Sequence, residues 1–141
     1  MFEEADQAAE QGDYQAAVAT LEESSSEIYT ERDDVVYYLD TGVLHHYAGN
    51  WDEALRRLGE AERLVEEYFT KSVTQAAASF TVSDYMVDYA GEDFEDIYLN
   101  IFRALSFLNQ DDPEGALVEI RRIDNKLRLL EDKYRELARE L

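Results

Sequence analysis

Two stretches of this chain repeat one another, and no other feature narrows its fold as much. Gln11-Gly12-Asp13-Tyr14-Gln15-Ala16-Ala17-Val18 and Ala48-Gly49-Asn50-Trp51-Asp52-Glu53-Ala54-Leu55 each read as small turn, aromatic, two polar residues, alanine, aliphatic. Gly12 and Gly49 lie 37 residues apart. A period of that length is one supersecondary unit that buries its apolar face only against its neighbours. A third, more worn pass runs over Asn100–Ile123, with Ala104 and Phe107 on a first helix and Ala116, Ile120 and Ile123 on a second. There Asp111-Asp112-Pro113 replaces the Gly-x-aromatic turn. Proline suits the first turn of a helix, where its missing N–H costs nothing, and an aspartate just before it can cap.

The repeat resembles the tetratricopeptide-repeat (TPR) family, whose unit is a pair of antiparallel helices of about 34 residues. In the first pass the matching positions are Gly12, Tyr14 and Ala17. The second turn matches most fully. Tyr38, Gly42 and His45 fall where the family places an aromatic, a small residue and an aromatic, and Gly49, Trp51, Ala54, Leu58 and Ala61 follow on the second helix. The side chains make physical sense of the match: Gly42 and Ala54 let two helices approach closely, while Trp51 and Leu58 fill the space between them.

Apolar spacing of three and four then sets the helices at about 2–11, 14–28, 33–48, 51–76, 93–109 and 113–139. The expected fold is therefore all-α, a TPR-like superhelix of about six helices in pairs spanning 2–28, 33–76 and 93–139. The chain reads as a single TPR-like domain over 1–141, with a fragment of a longer protein as a further expectation. Residues 79–91 are rich in β-branched and aromatic side chains and follow no helical period, so they read as an insertion that packs on the helices or serves function.

Residues 89–127 resemble something narrower. Tyr89-Ala90-Gly91-Glu92-Asp93-Phe94-Glu95, Asn100, Ala104-Leu105 and Gly115–Ile123 are similar to a family of uncharacterised bacterial TPR lipoproteins. The resemblance implies a cell-envelope location with a leader removed. The acidic opening, Met1-Phe2-Glu3-Glu4, is not a signal peptide, and without a removed leader the expectation is cytoplasmic.

Net charge limits the partners. The 141 residues carry −20, and residues 117–141 account for +1 of it, leaving −21 on the first 116. Such a surface repels nucleic acid and anionic membranes. No run of eighteen apolar residues is present to span a bilayer. Only three of thirteen bases are lysine. That composition suits a protein kept soluble in strong brine, an ordinary acidic protein, or one that meets a basic partner.

No residue set points to catalysis. Cysteine is absent, which removes thiolate chemistry and disulfides, and no nucleophile, phosphate loop or cofactor motif is present. A hydrolase using acidic residues is a remote alternative. His45 and His46 are the two histidines, and neighbours on a helix point about 100° apart, so they do not chelate one metal. Glu92, Asp93, Glu95 and Asp96 lack the alternating ligands and glycine of a calcium loop, and acids at a helix N-terminus favour the dipole and supply caps. Glu92 and Glu95 are further expected to pair with Arg121 or Arg122.

Two surfaces are candidates for binding another protein or a basic peptide. The face lined by the first helix of each pair offers Tyr37, Tyr38, Asp40, Thr41, His45, Tyr98 and Arg103. The last helix carries Ala116, Ile120, Ile123, Leu127, Leu130, Tyr134, Leu137 and Leu141 at alternating spacings of four and three, a heptad seam. That seam reads as packing on the long end of the fourth helix or as a surface for a partner, and Leu127, Leu130, Tyr134 and Leu137 are its candidate contacts. The expected function is a scaffold or adaptor, with self-assembly through helix 113–139 as the structural alternative.

Overall fold

The computed structural model describes residues 2–78 and 92–140. The insertion expected at 79–91 lies outside them. Among the described residues the chain is all-α, with seven helices: α1 (Phe2–Glu10), α2 (Tyr14–Glu23), α3 (Ser25–Ile28), α4 (Asp34–Tyr47), α5 (Trp51–Ala78), α6 (Asp93–Asn109) and α7 (Pro113–Glu140). They pack in sequential pairs, α1 with α2, α4 with α5 and α6 with α7, and each pair leans on the next.

One turn, made three times, joins the two helices of each pair. Gly12 and Gly49 adopt φ of 79° and 80°, and Asp111 takes the same left-handed region at φ 56°. In each turn the next N–H reaches back five residues at 2.9 Å, from Asp13 to the Ala8 carbonyl, Asn50 to His45 and Asp112 to Phe107. The N–H of Gly12, Gly49 and Asp111 reaches back three. This Schellman arrangement satisfies carbonyls that a helix end leaves open. Aspartate tolerates the left-handed region better than most residues, so the worn third pass keeps the geometry of the other two. Asp13 caps α2 by accepting the Ala16 N–H at 3.0 Å, and Asp112 caps α7 by accepting that of Gly115 at 2.9 Å.

The helix expected over 14–28 is interrupted at Ser24, whose backbone (φ −100°, ψ 11°) leaves the helical region before the single turn of α3 begins. Three serines in a row compete with the ladder by offering local hydrogen bonds. Tyr29 then turns extended, and Thr30 donates its N–H and hydroxyl to Asp33 Oδ2 at 2.9 and 2.8 Å, closing the loop into α4.

Small residues set the spacing of the core. Ala17, Ala54, Ala61 and Ala116 are buried beside Val18, Val35, Leu58 and Leu99. A Cβ on Gly42 would lie 2.7 Å from Leu58 Cγ, so the α4–α5 crossing needs glycine there. Trp51 is half-buried. Rings stitch the pairs together: Tyr14 stacks on Tyr47 at 5.1 Å, and Tyr47 and His46 meet Phe102 edge-on at 5.8 and 5.3 Å. No described helix is long and apolar enough to cross a membrane.

Candidate partner-binding groove

The first helices of the three pairs, α1, α4 and α6, together line an open, shallow cleft of about 370 Å³. From α1 come Phe2 and Asp6; from α4, Leu39, Asp40, Val43 and Leu44; from α6, Phe94, Glu95, Tyr98, Leu99 and Phe102; Leu21 of α2 closes the floor. On α4 and α6 the lining repeats every three to four residues, which keeps it on one side of each helix. Phe94 and Tyr98 meet edge-on at 6.3 Å. Phe2, Phe94 and Tyr98 remain 48%, 59% and 55% exposed. Three aromatic rings half open to solvent around one cleft form the kind of concave apolar patch that marks a binding surface.

Carboxylates converge on the same cleft. Asp40 Oδ2 accepts the Tyr29 hydroxyl at 2.7 Å. Its carboxyl is nonetheless pushed up, first by burial and then by the charges of Glu95 and Asp6, against the pull of the Tyr29 hydrogen bond. The Tyr29 phenol is pushed up in turn by burial and by Asp40. Asp6, Asp40 and Glu95 thus put three carboxyl groups at one apolar cleft.

Of the residues that the sequence placed on this face, Asp40 and Tyr98 line the cleft and the others stand elsewhere. Tyr38 and His45 lie on the far side of α4 from Asp40 and Thr41 about a quarter-turn away, because each residue turns a helix by about 100°. Thr41 is buried and donates to the Tyr37 carbonyl at 2.7 Å. Tyr38 packs edge-on against Tyr37. Tyr37 accepts from Arg57 at 2.7 Å. His45 is buried, with Nε2 at 3.2 Å from Glu22 Oε1, whereas its neighbour His46 turns to Ser106 at 2.8 Å. Glu22, His45 and Glu53 hold ligand atoms within 4.8 Å of one another, the spacing of a small metal site. The Arg57 guanidinium lies between the two carboxylates, 2.5 Å from Glu22 and 3.0 Å from Glu53, and supplies the positive charge itself.

Arg103 belongs to a buried network absent from the sequence reading. Asn100 Nδ2 donates to Glu62 at 2.9 Å and to Glu119 at 2.7 Å. Arg103 donates to Glu119 at 3.0 Å and to the Leu55 carbonyl at 3.2 Å. Lys126 Nζ reaches Asn100 Oδ1, Asp96 and Glu62 at 2.6, 2.7 and 2.9 Å, and Arg122 reaches Glu62 at 2.6 Å. Three acids thus meet three bases, and the pairing lets the buried Glu62 and Glu119 keep their charge. The one available signal was register: Asn100 sits a turn before Ala104, and Glu119 a turn after Ala116, both on buried stripes.

The pairing expected between Glu92 or Glu95 and Arg121 or Arg122 takes a different form. Glu92 and Glu95 cap α6 reciprocally, with Glu95 Oε2 accepting the Glu92 N–H at 2.8 Å. At the start of α6 the pairs to α7 are Asp96 with Lys126 at 2.7 Å and Asp93 with Lys133 at 2.9 Å. Antiparallel packing sets the start of α6 beside residues 126–133, so Arg121 and Arg122 lie one to three turns away.

The heptad seam of α7 is divided. Ala116 is buried and Ile123 and Leu130 half-buried on the α6 side, while Ile120, Leu127, Tyr134 and Leu137 are open to solvent. α7 packs chiefly along α6 and touches α5 through Glu62.

Comparison of the chain with protein-family models, with curated proteins and with solved structures found no match to any of them.

Proposed function

We propose that this chain is a TPR-like scaffold that holds a segment of another protein in the α1–α4–α6 groove, with a basic side chain of that segment seated at Asp40. The observation that carries the reading is the composition of the cleft: exposed Phe2, Phe94 and Tyr98 around the convergent Asp6, Asp40 and Glu95. Rings supply rigid contact area at low entropic cost, and the carboxylates select the charge of the ligand and steer its approach. The threefold turn and the close crossing at Gly42 support the TPR-like assignment, in which the first helices of successive pairs form the binding face. The resemblance of residues 89–127 to bacterial envelope lipoproteins favours an envelope partner.

The test is a peptide array of 12-residue sequences varied in charge and aromatic content, followed by fluorescence titration of the best binders. Selected peptides are expected to carry lysine or arginine beside apolar residues and to weaken as salt rises. Asp40→Asn should weaken them about fivefold to tenfold, as for a partly desolvated ion pair worth about 1 kcal/mol, and Tyr98→Ala by a similar factor. Selection indifferent to charge, or binding untouched by both substitutions, would remove the groove from the function.

A further inference from the structure

We propose that the outer face of the last helical pair, α6 and α7, docks on the same face of a second copy of this chain about a twofold axis, with the two α7 helices antiparallel. The surface is independent of the groove above. Gly49 and Asp111 occupy the same place in their turns and set an offset of 62 residues between the second pair and the third. The second pair receives α6 through His46, Leu55, Gly59 and Glu62: His46 bonds Ser106, the Leu55 carbonyl accepts from Arg103, Gly59 leaves room for that guanidinium, and Glu62 accepts from Asn100. At that offset the counterparts on the third pair are Leu108, Leu117, Arg121 and Asp124. Leu108 is 51% exposed and Leu117 50%, and Ile120, Leu127 and Tyr134 extend the same open edge of α7. Of the positions that bind the next helix pair inside the chain, two are apolar and half-exposed on the third pair, Leu108 and Leu117, and two are charged, Arg121 and Asp124.

Charge selects the occupant. Two copies that each carry a net −21 on residues 1–116 repel one another overall, and the near-neutral residues 117–141 are where they meet at least electrostatic cost. Beside the apolar edge, Asp124, Arg128, Glu131 and Arg135 form one row at spacings of four, three and four, paired within the helix as Asp124–Arg128 and Glu131–Arg135. The row reads minus, plus, minus, plus. Reversed, it reads plus, minus, plus, minus. An antiparallel copy therefore sets Asp124 against Arg135 and Arg128 against Glu131, while a parallel copy in register sets like against like. Self-complementarity of this kind is what a twofold interface requires.

The experiment is the light-scattering mass of the full chain from about 10 to 200 μM in low and molar salt. The expected result is a doubling of the 16.3 kDa monomer, strengthened by salt as the acidic halves are screened. Ile120→Glu with Leu127→Glu, both half-exposed in the monomer, should return the mass to one copy with helix content unchanged. A second chain with the row inverted (Asp124→Arg, Arg128→Asp, Glu131→Arg, Arg135→Asp) should pair with itself. Mixed with the original chain, it should form mixed dimers at about a tenth of the statistical share or less. A monomer at every concentration and salt would overturn the proposal and leave the face to a helix of a different chain. A dimer that survives the double glutamate variant, or inverted and original chains that mix freely, would overturn it equally.

Discussion

Replacing Lys126 by methionine removes the one ammonium that ties α7 to both α5 and α6 while keeping most of the side chain's bulk. Lys126 Nζ lies 2.9 Å from Glu62, 2.7 Å from Asp96 and 2.6 Å from Asn100 Oδ1. Glu62 is 5% exposed and Glu119 2% exposed, so the loss leaves buried acids with two guanidiniums, Arg103 and Arg122, and leaves Asn100 Oδ1 without this donor. Breaking a buried charge pair from one side costs about 3–5 kcal/mol. The low end applies, because Arg122 stays 2.6 Å from Glu62 and Asp96 is a quarter open to water. With a urea slope of about 1.5–2 kcal/mol per molar, about 3 kcal/mol moves the midpoint down by about 1.5–2 M. The pH dependence is the sharper part of the prediction. In the native chain burial alone would raise the Glu62 carboxyl, but Asn100, Lys126 and Arg122 hold it below its ordinary 4.5. It therefore contributes stability above that value, lost as pH falls through the folded one. In Lys126→Met burial meets less opposition and favours the protonated acid, so the stability gap to the native chain narrows between pH 7 and about 4.5. Urea unfolding of both chains across that range reads the gap directly. Glu62→Gln on top of Lys126→Met should recover about 1–2 kcal/mol by removing a buried charge that has lost one of its two cationic partners. A gap under about 1 kcal/mol, or one flat with pH, would refute the account of this network.

Gly42→Ala should lower stability by about 1 kcal/mol, because overpacking against Leu58 outweighs the gain in helix propensity. Thermal unfolding should show a loss of about 3–5 °C, and a gain instead would mean the α4–α5 pair can widen freely. Asp111→Gly should raise stability by about 0.5–1 kcal/mol by relieving a side chain held at φ 56°, whereas Gly49→Ala in the equivalent turn should lower it by about 1 kcal/mol. Denaturant midpoints of the two variants check the pair, and a shift of the same sign in both would break the equivalence of the turns.

Much of the fold was legible in the order of residues. Gly12, Gly49 and the Asp111-Asp112-Pro113 substitute announced the turns within the pairs, and the spacing of Ala54, Leu58 and Ala61 announced the buried side of α5. These signals are local: a turn, a cap or a helical stripe depends on residues within about two turns of one another. Even the close crossing at Gly42 was readable, since a glycine between apolar positions asks for a neighbour at short range. The interruption at Ser24 was the local feature missed, where a serine run competed with a helix that apolar spacing alone would continue.

What the tertiary structure alone decided is which stripe of each helix meets which other. Tyr37, Tyr38 and Asp40 are equally plausible groove residues from the sequence, yet only Asp40 turns toward α1 and α6. Arg103 passes under Gly59 to Glu119 instead of reaching the groove, and Lys126 and Lys133, not Arg121 and Arg122, find the start of α6. The heptad seam of α7 is one unbroken pattern in the sequence and two surfaces in space, with Ile123 and Leu130 turned toward α6 and Leu127 and Tyr134 turned to solvent. The periodicity of a helix says that an apolar side exists. Its rotation about its own axis, and so what that side touches, is set by close packing against residues twenty to sixty positions away.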